Sequence, residues 1–107
     1  MPAIGYIQVR AYTSRAQLPV EDAAVSVVDE GGRLLGLRTT NSSGLTTPIR
    51  LEVPDKVQSQ SPGNGKSYES YNLYVSSPGY YKKEYVGVPV FEGITAIQNV
   101  DMIPLPD

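Results

Sequence analysis

Eight of the nine aromatic residues in this sequence are tyrosines, and they are the side chains best suited to do chemistry on a surface. A tyrosine ring exposed on a sheet can stack on a sugar ring or anchor a protein interface. The same ring paired across two strands does no more than cover the sheet. Strand alternation turns Tyr71 and Tyr85 inward and Tyr74 outward, with Tyr6, Tyr12 and Tyr81 among the outward set. Tyr74 and Tyr81 are therefore the candidate surface for a partner or a glycan.

Catalytic chemistry finds little material. The sequence has no histidine and no cysteine. The usual general base, the usual transition-metal ligand, the thiolate and the disulfide are all missing. A serine can act as nucleophile with a lysine as base, but the serines here sit in turns and polar loops with no motif around them. Paired carboxylates support glycoside hydrolysis. The two acid pairs, Glu21-Asp22 and Asp29-Glu30, each fall in a turn and read as solvated charges. Neither follows the spaced Asp-x-Asp-x-Asp-Gly pattern of a calcium loop. The expectation is no catalytic residue, no metal site, no cofactor and no enzyme.

Charge narrows the partners. Nine Lys and Arg stand against eleven Asp and Glu, a net charge of −2. The densest basic feature is Lys82-Lys83, too little to release counterions from a polyanion, so nucleic acid is not an expected partner. No window is long and apolar enough for a membrane-spanning helix, so no membrane insertion is expected. The start, Met1-Pro2-Ala3-Ile4-Gly5, lacks the basic and apolar regions of a signal peptide. A cysteine-free domain fits any redox compartment.

The elements that must position these residues are strands. Ten glycines and nine prolines punctuate the chain every few residues and leave no room for a long helix. At 107 residues, positions 1–107 make one domain with its own core. Seven strands are expected, over 5–13, 23–29, 34–40, 45–53, 70–76, 81–88 and 94–103. Ile7, Val9 and Ala11 face inward on the first, and Val25 and Val27 on the second. Leu35, Leu37 and Thr39 face inward on the third. Leu45, Thr47, Ile49, Leu51 and Val53 face inward on the fourth, where Pro48 argues for an edge or a bulge. Tyr71, Leu73 and Val75 do so on the fifth. Alternation slips near Ile97 to Asn99, which suggests a bulge. The polar loop from Lys56 to Ser67 is expected to be loosely ordered, and Ile103 to Asp107 to be a linker stub.

Three segments carry a resemblance. Pro19-Val20 with Ala23-Ala24-Val25-Ser26-Val27, the turn Thr40-Asn41-Ser42-Ser43-Gly44, and Ser77-Pro78-Gly79-Tyr80 resemble the carboxypeptidase-regulatory-like domains. Val88-Pro89-Val90-Phe91-Glu92-Gly93-Ile94-Thr95 and Val100 to Pro106 resemble a subgroup of these from spore-forming bacteria. The resemblance implies an all-β, seven-stranded antiparallel or mixed Greek-key sandwich of transthyretin (prealbumin)-like type. It also implies a non-catalytic accessory module beside peptidoglycan-binding and spore cortex-lytic modules, with a protein or cell-wall partner and a cell-envelope or spore setting. The alternative is a glycan-binding sandwich. Asp22 departs from the pattern, which often has glycine there. A related transthyretin-like hydrolase of 5-hydroxyisourate uses histidines and a C-terminal Tyr-Arg-Gly-Ser, and both are missing here. Related pilin-type sandwiches join a first-strand lysine to a last-strand asparagine. This first strand offers Arg10, which is no nucleophile, against Asn99.

Overall fold

The computed structural model describes residues 3–13, 17–53 and 68–106. Every element in them is a strand: β1 (Ala3–Thr13), β2 (Ala24–Val28), β3 (Leu34–Thr39), β4 (Ile49–Val53), β5 (Tyr68–Ser76), β6 (Lys83–Phe91) and β7 (Thr95–Met102). They form a three-stranded sheet in the order β4-β1-β7 and a four-stranded sheet in the order β3-β2-β5-β6. The chain changes sheet after β1, β3, β4 and β6, which gives the Greek-key sandwich. All pairings are antiparallel except β1 with β7, so the sandwich is mixed. The expected loose loop from Lys56 to Ser67 lies outside the described residues.

The core follows the period-two pattern. Ile7, Val9 and Ala11 of β1 are fully buried, and Val25, Val27 and Leu73 meet them from the other sheet. Ile49, Leu51 and Val53 on β4, and Tyr71 and Val75 on β5, also point inward as expected.

Side-chain oxygens close the turns. Asp29 accepts from the N–H groups of Gly31 and Arg33, both at 2.9 Å. Asn41 accepts from Ser43 at 2.8 Å and Leu45 at 3.1 Å. These are the local bonds that make Asp and Asn turn formers. Gly44, at φ +77, closes the second turn, and a Cβ there would lie 2.3 Å from the Ala11 carbonyl oxygen. Tyr80 N–H donates to Ser77 O at 3.1 Å across the Pro78-Gly79 turn.

Four expectations need correction. On β3, Leu37 and Thr39 face outward, because Val25 and Val27 pair with Arg38 and Gly36 and directly opposed residues share a face. Ile49 of the other sheet sets this phase. It fills the space over Gly36, where a Cβ would lie 3.0 Å from its Cγ2. A bulge between Val27 and Val28 puts Leu35 out of step, at one end of the sandwich. On the approach to β4, Thr46 is buried and Thr47 exposed. Thr46 exchanges backbone and side-chain bonds with Val9, at 3.0 and 3.1 Å. Pro48 then precedes β4, which is an edge strand as its proline suggested.

The third correction concerns β7. Its register with β1 runs unbroken from Tyr6↔Thr95 to Thr13↔Met102, with no bulge. The slip in alternation arises because the core-facing position opposite Val9 holds Gln98, while Ile97 faces outward. The fourth concerns the segment after β7, whose side chains stay exposed but whose backbone is paired rather than free. Tyr81 N–H donates to Ile103 O at 2.9 Å and Leu105 N–H to Gly79 O at 2.8 Å, with a bridge between Tyr80 and Pro104. Together with the ion pair Lys83–Asp101 at 3.6 Å, these bonds stitch the β6 side of one sheet to the β7 side of the other. Among the described residues, no backbone bond joins β3 to β4 on the opposite side.

Candidate binding surface

The outer face of the four-stranded sheet carries Tyr74. The registers place Leu37, Ser26, Tyr74 and Glu84 in one row across β3, β2, β5 and β6. Leu37 is 57% exposed and Tyr74 40%. The adjacent row holds Leu34, Val28 and Asn72. There Asn72 Oδ1 accepts from Gly87 N–H at 3.1 Å, where a bulge in β6 leaves Val86 72% exposed. The face is thus mixed, with apolar leucine, valine and tyrosine alternating with serine, asparagine and glutamate.

Along β5 the outward residues are Tyr68, Ser70, Asn72, Tyr74 and Ser76. Tyr68 packs on Phe91, ring centroids 5.5 Å apart. Tyr68 and Tyr74 are six residues apart, about 20 Å along an extended strand, with Ser70 and Asn72 between them on that face. The tyrosines form no continuous aromatic platform.

Tyr74 borders a cleft of about 340 Å3 lined also by Ser26, Ser76, Lys82, Lys83 and Glu84. Tyr81 is 48% exposed and lies between the Ser77–Tyr80 turn and β6. Both tyrosines are outward as the sequence implied, but Tyr81 does not line the Tyr74 cleft. Tyr6 and Tyr12 are half-buried, and Tyr85 is partly buried against the core. Sequence reasoning missed Leu37 and Val86 as surface residues. The run Leu34-Leu35-Gly36-Leu37 held the only signal, since three leucines around a glycine cannot all follow one period-two face.

A second cleft, of about 560 Å3, opens at one end, between the β2–β3 turn and the facing parts of β4 and β5. Asp29, Glu30, Glu52 and Glu69 line it together with Arg33 and Arg50. The Asp29 carboxylate is engaged by the turn N–H groups, and no cluster of three or more His, Cys, Asp or Glu among the described residues is placed to hold a metal ion. The Tyr71 hydroxyl donates to the Glu52 carbonyl and so joins the two sheets. Burial pushes the Tyr71 pKa up, helped by Glu69, Glu52 and Asp29. The other acid pair, Glu21-Asp22, lies in a turn before β2, with Asp22 at φ +62, so the two pairs serve separate turns.

On the outer face of the three-stranded sheet, Arg10 stands opposite Asn99, and its guanidinium lies 6.0 Å from the Tyr12 ring centroid. No lysine amine stands at that step of the ladder.

No family model and no curated protein matches this sequence. Solved structures show similarity of fold. The chain is similar to the TIE protein of Bacillus anthracis, with a TM-score of 0.65 at 14% identity over 96% of this chain and 17% of that one. It is similar to GBS52, the minor pilin of Streptococcus agalactiae, with a TM-score of 0.58 at 11% identity over 100% of this chain and 47% of that one. It is also similar to 3-chlorocatechol 1,2-dioxygenase of Rhodococcus opacus, with a TM-score of 0.60 at 8% identity over 98% and 62%. The chain spans less than two thirds of each of these proteins. At such identities the likeness is one of fold, a β-sandwich shared by pilins and enzymes alike.

Proposed function

We propose that this chain is a non-catalytic interaction module, of the carboxypeptidase-regulatory-like kind its turns resemble, that binds a protein partner at a bacterial cell wall or spore. The observation that carries this reading is the mixed outer face of the four-stranded sheet. Leu37, Val86 and Tyr74 supply apolar anchors, while Ser26, Asn72 and Glu84 supply polar contacts between them. A protein interface combines such anchors with a polar surround. The residue inventory supports the absence of catalysis: with no histidine and no cysteine, few proton-transfer or nucleophilic schemes remain. The fold alone does not decide the point, since an enzyme shares it.

A second reading, glycan binding, draws on the exposed Tyr74 ring beside its cleft, where Ser26, Ser76, Lys82 and Glu84 offer hydrogen-bonding groups. Recognition of peptidoglycan fragments would then centre on one ring rather than a platform. The two readings part on a binding screen against peptidoglycan fragments and cell-envelope proteins, run beside a broad hydrolase screen. Protein binding lost in Leu37→Asp supports the interaction module. Glycan binding abolished by Tyr74→Ala with Leu37→Asp unaffected favours the second reading. Turnover that disappears in a point variant overturns both.

A further inference from the structure

The first and last strands are neighbours and run parallel. Eight consecutive residue pairs, from Tyr6↔Thr95 to Thr13↔Met102, join β1 to β7 without a break. Parallel strands begin at the same end of their shared ladder and finish at the same end. The chain therefore enters the ladder at the start of β1 and leaves it at the finish of β7, at opposite ends. Tension between Ala3 and Leu105 pulls β1 and β7 in opposite directions along their own axes.

We propose that this domain is a force-bearing link, in which the β1–β7 ladder resists tension in shear. In a parallel pair the hydrogen bonds are evenly spaced and cross between the strands at a slant. When the strands are pulled past one another, the bonds of the ladder are loaded together and none can open ahead of the rest. Pulled apart from one end, the same bonds would open one at a time.

The side chains reinforce the ladder. Ile7, Val9 and Ala11 on β1 and Val100 and Met102 on β7 are all fully buried in the one core. A slide of one residue would turn each of them to the solvent face. A slide of two would drive each from one close-packed site into another shaped for a different side chain. β1 is the central strand of its sheet, so β4 holds its other edge over Ala3↔Val53 to Ile7↔Ile49.

Both ends of the ladder are anchored. Gly93 N–H donates to Ile4 O at 2.9 Å and Tyr6 N–H to Ile94 O at 3.0 Å where β1 begins. A Cβ on Gly5 would lie 2.5 Å from the Phe91 carbonyl oxygen, so β1 is pressed against β6 at that point. Where β7 finishes, Tyr81 N–H donates to Ile103 O and Leu105 N–H donates to Gly79 O. No lysine–asparagine bond ties this step of the ladder, since Arg10 and not a lysine stands opposite Asn99. Above its rupture force the ladder gives way, and it re-forms when the load is removed.

The test is single-molecule pulling on the cysteine-free chain, with two attachment geometries compared at one loading rate. Ala3→Cys with Leu105→Cys loads the ladder in shear. Ala3→Cys with Thr95→Cys pulls β1 and β7 apart from the same end. Handles fused to the two ends of the unsubstituted chain repeat the shear geometry without any substitution, and denaturant midpoints verify that each paired variant is folded. The expected result is a higher rupture force in both shear geometries than in the same-end geometry, with refolding on relaxation. A shear rupture force equal to or below the same-end value overturns the proposal, as does failure to refold.

Discussion

The hydroxyl of Thr40 donates to the carbonyl of Val20 at 2.6 Å and fixes the segment that leads into β2. The same oxygen accepts from the N–H of Ala23 at 2.9 Å. The Thr40 backbone adds bonds from its N–H to Ala23 O and from Asp22 N–H to its own carbonyl. One buried side chain thus satisfies two backbone groups that the left-handed turn at Asp22 takes out of any ladder. Thr40→Val keeps the shape and removes both bonds. It is expected to cost about 1–3 kcal/mol, the range for leaving buried polar groups unpaired, and Thr40→Ser should recover most of that. Urea midpoints of the two variants check it.

The phase of β3 gives a paired prediction. Leu73→Ala empties a fully buried site and should cost about 2–5 kcal/mol. Leu37→Ala removes an outward side chain and should stay within about 0.5 kcal/mol of the parent. Comparable losses for the two in chemical denaturation would return Leu37 to the core and reverse the reading of the outer face.

Gly44 should not tolerate a side chain. Its φ of +77 disfavours any L-residue, and a Cβ would meet the Ala11 carbonyl oxygen at 2.3 Å. Gly44→Ala is expected to lower stability by more than the roughly 1–2 kcal/mol of the left-handed conformation alone, because the backbone must also move. Gly32→Ala, at φ +87 with nothing within 4 Å, should show the conformational cost without the clash. Thermal unfolding of the pair separates the two effects.

Alkaline pH should destabilise the fold through two tyrosines. Burial raises the pKa of Tyr71, with Glu69, Glu52 and Asp29 adding to it, and burial raises that of Tyr85, with Asp101 and Tyr12 adding to it. The folded chain therefore holds these protons more tightly than the unfolded chain, whose tyrosines titrate near 10.0. The stabilisation is complete below that value and is lost as pH rises through the higher folded values. Denaturant midpoints should fall more steeply above about pH 10 for the parent than for Tyr71→Phe. Identical alkaline profiles would refute the assignment for Tyr71.

Which face a residue takes was readable wherever the alternation was clean. Val25, Val27, Leu51 and Leu73 are buried where their period-two pattern put them. The phase of β3 was hidden because Ile49, on the other sheet, decides that Gly36 points inward. Thr46 looked outward because its bonds to Val9 are non-local. Tyr74 could be read as exposed, but its neighbours Ser26, Lys82 and Glu84 come from two other stretches of chain, far from it in sequence or beyond a turn. Alternation assigns a face and says nothing of the neighbouring strand. The parallel pairing of β1 with β7 left no mark in the sequence for that reason.

The unequal sides of the sandwich have a consequence for its internal motion. Bonds from Tyr81 and Leu105 and the Lys83–Asp101 pair bind the sheets along β6 and β7, whereas among the described residues β3 and β4 face each other without a backbone bond. Apart from the Tyr71–Glu52 bond, the sheets should therefore separate more readily at the β3–β4 side than at the β6–β7 side. Amide protons should exchange along a gradient across the molecule. Those bonding β2 to β3 should be released by small openings, and those of Val9 and Val100 only when the whole fold comes apart.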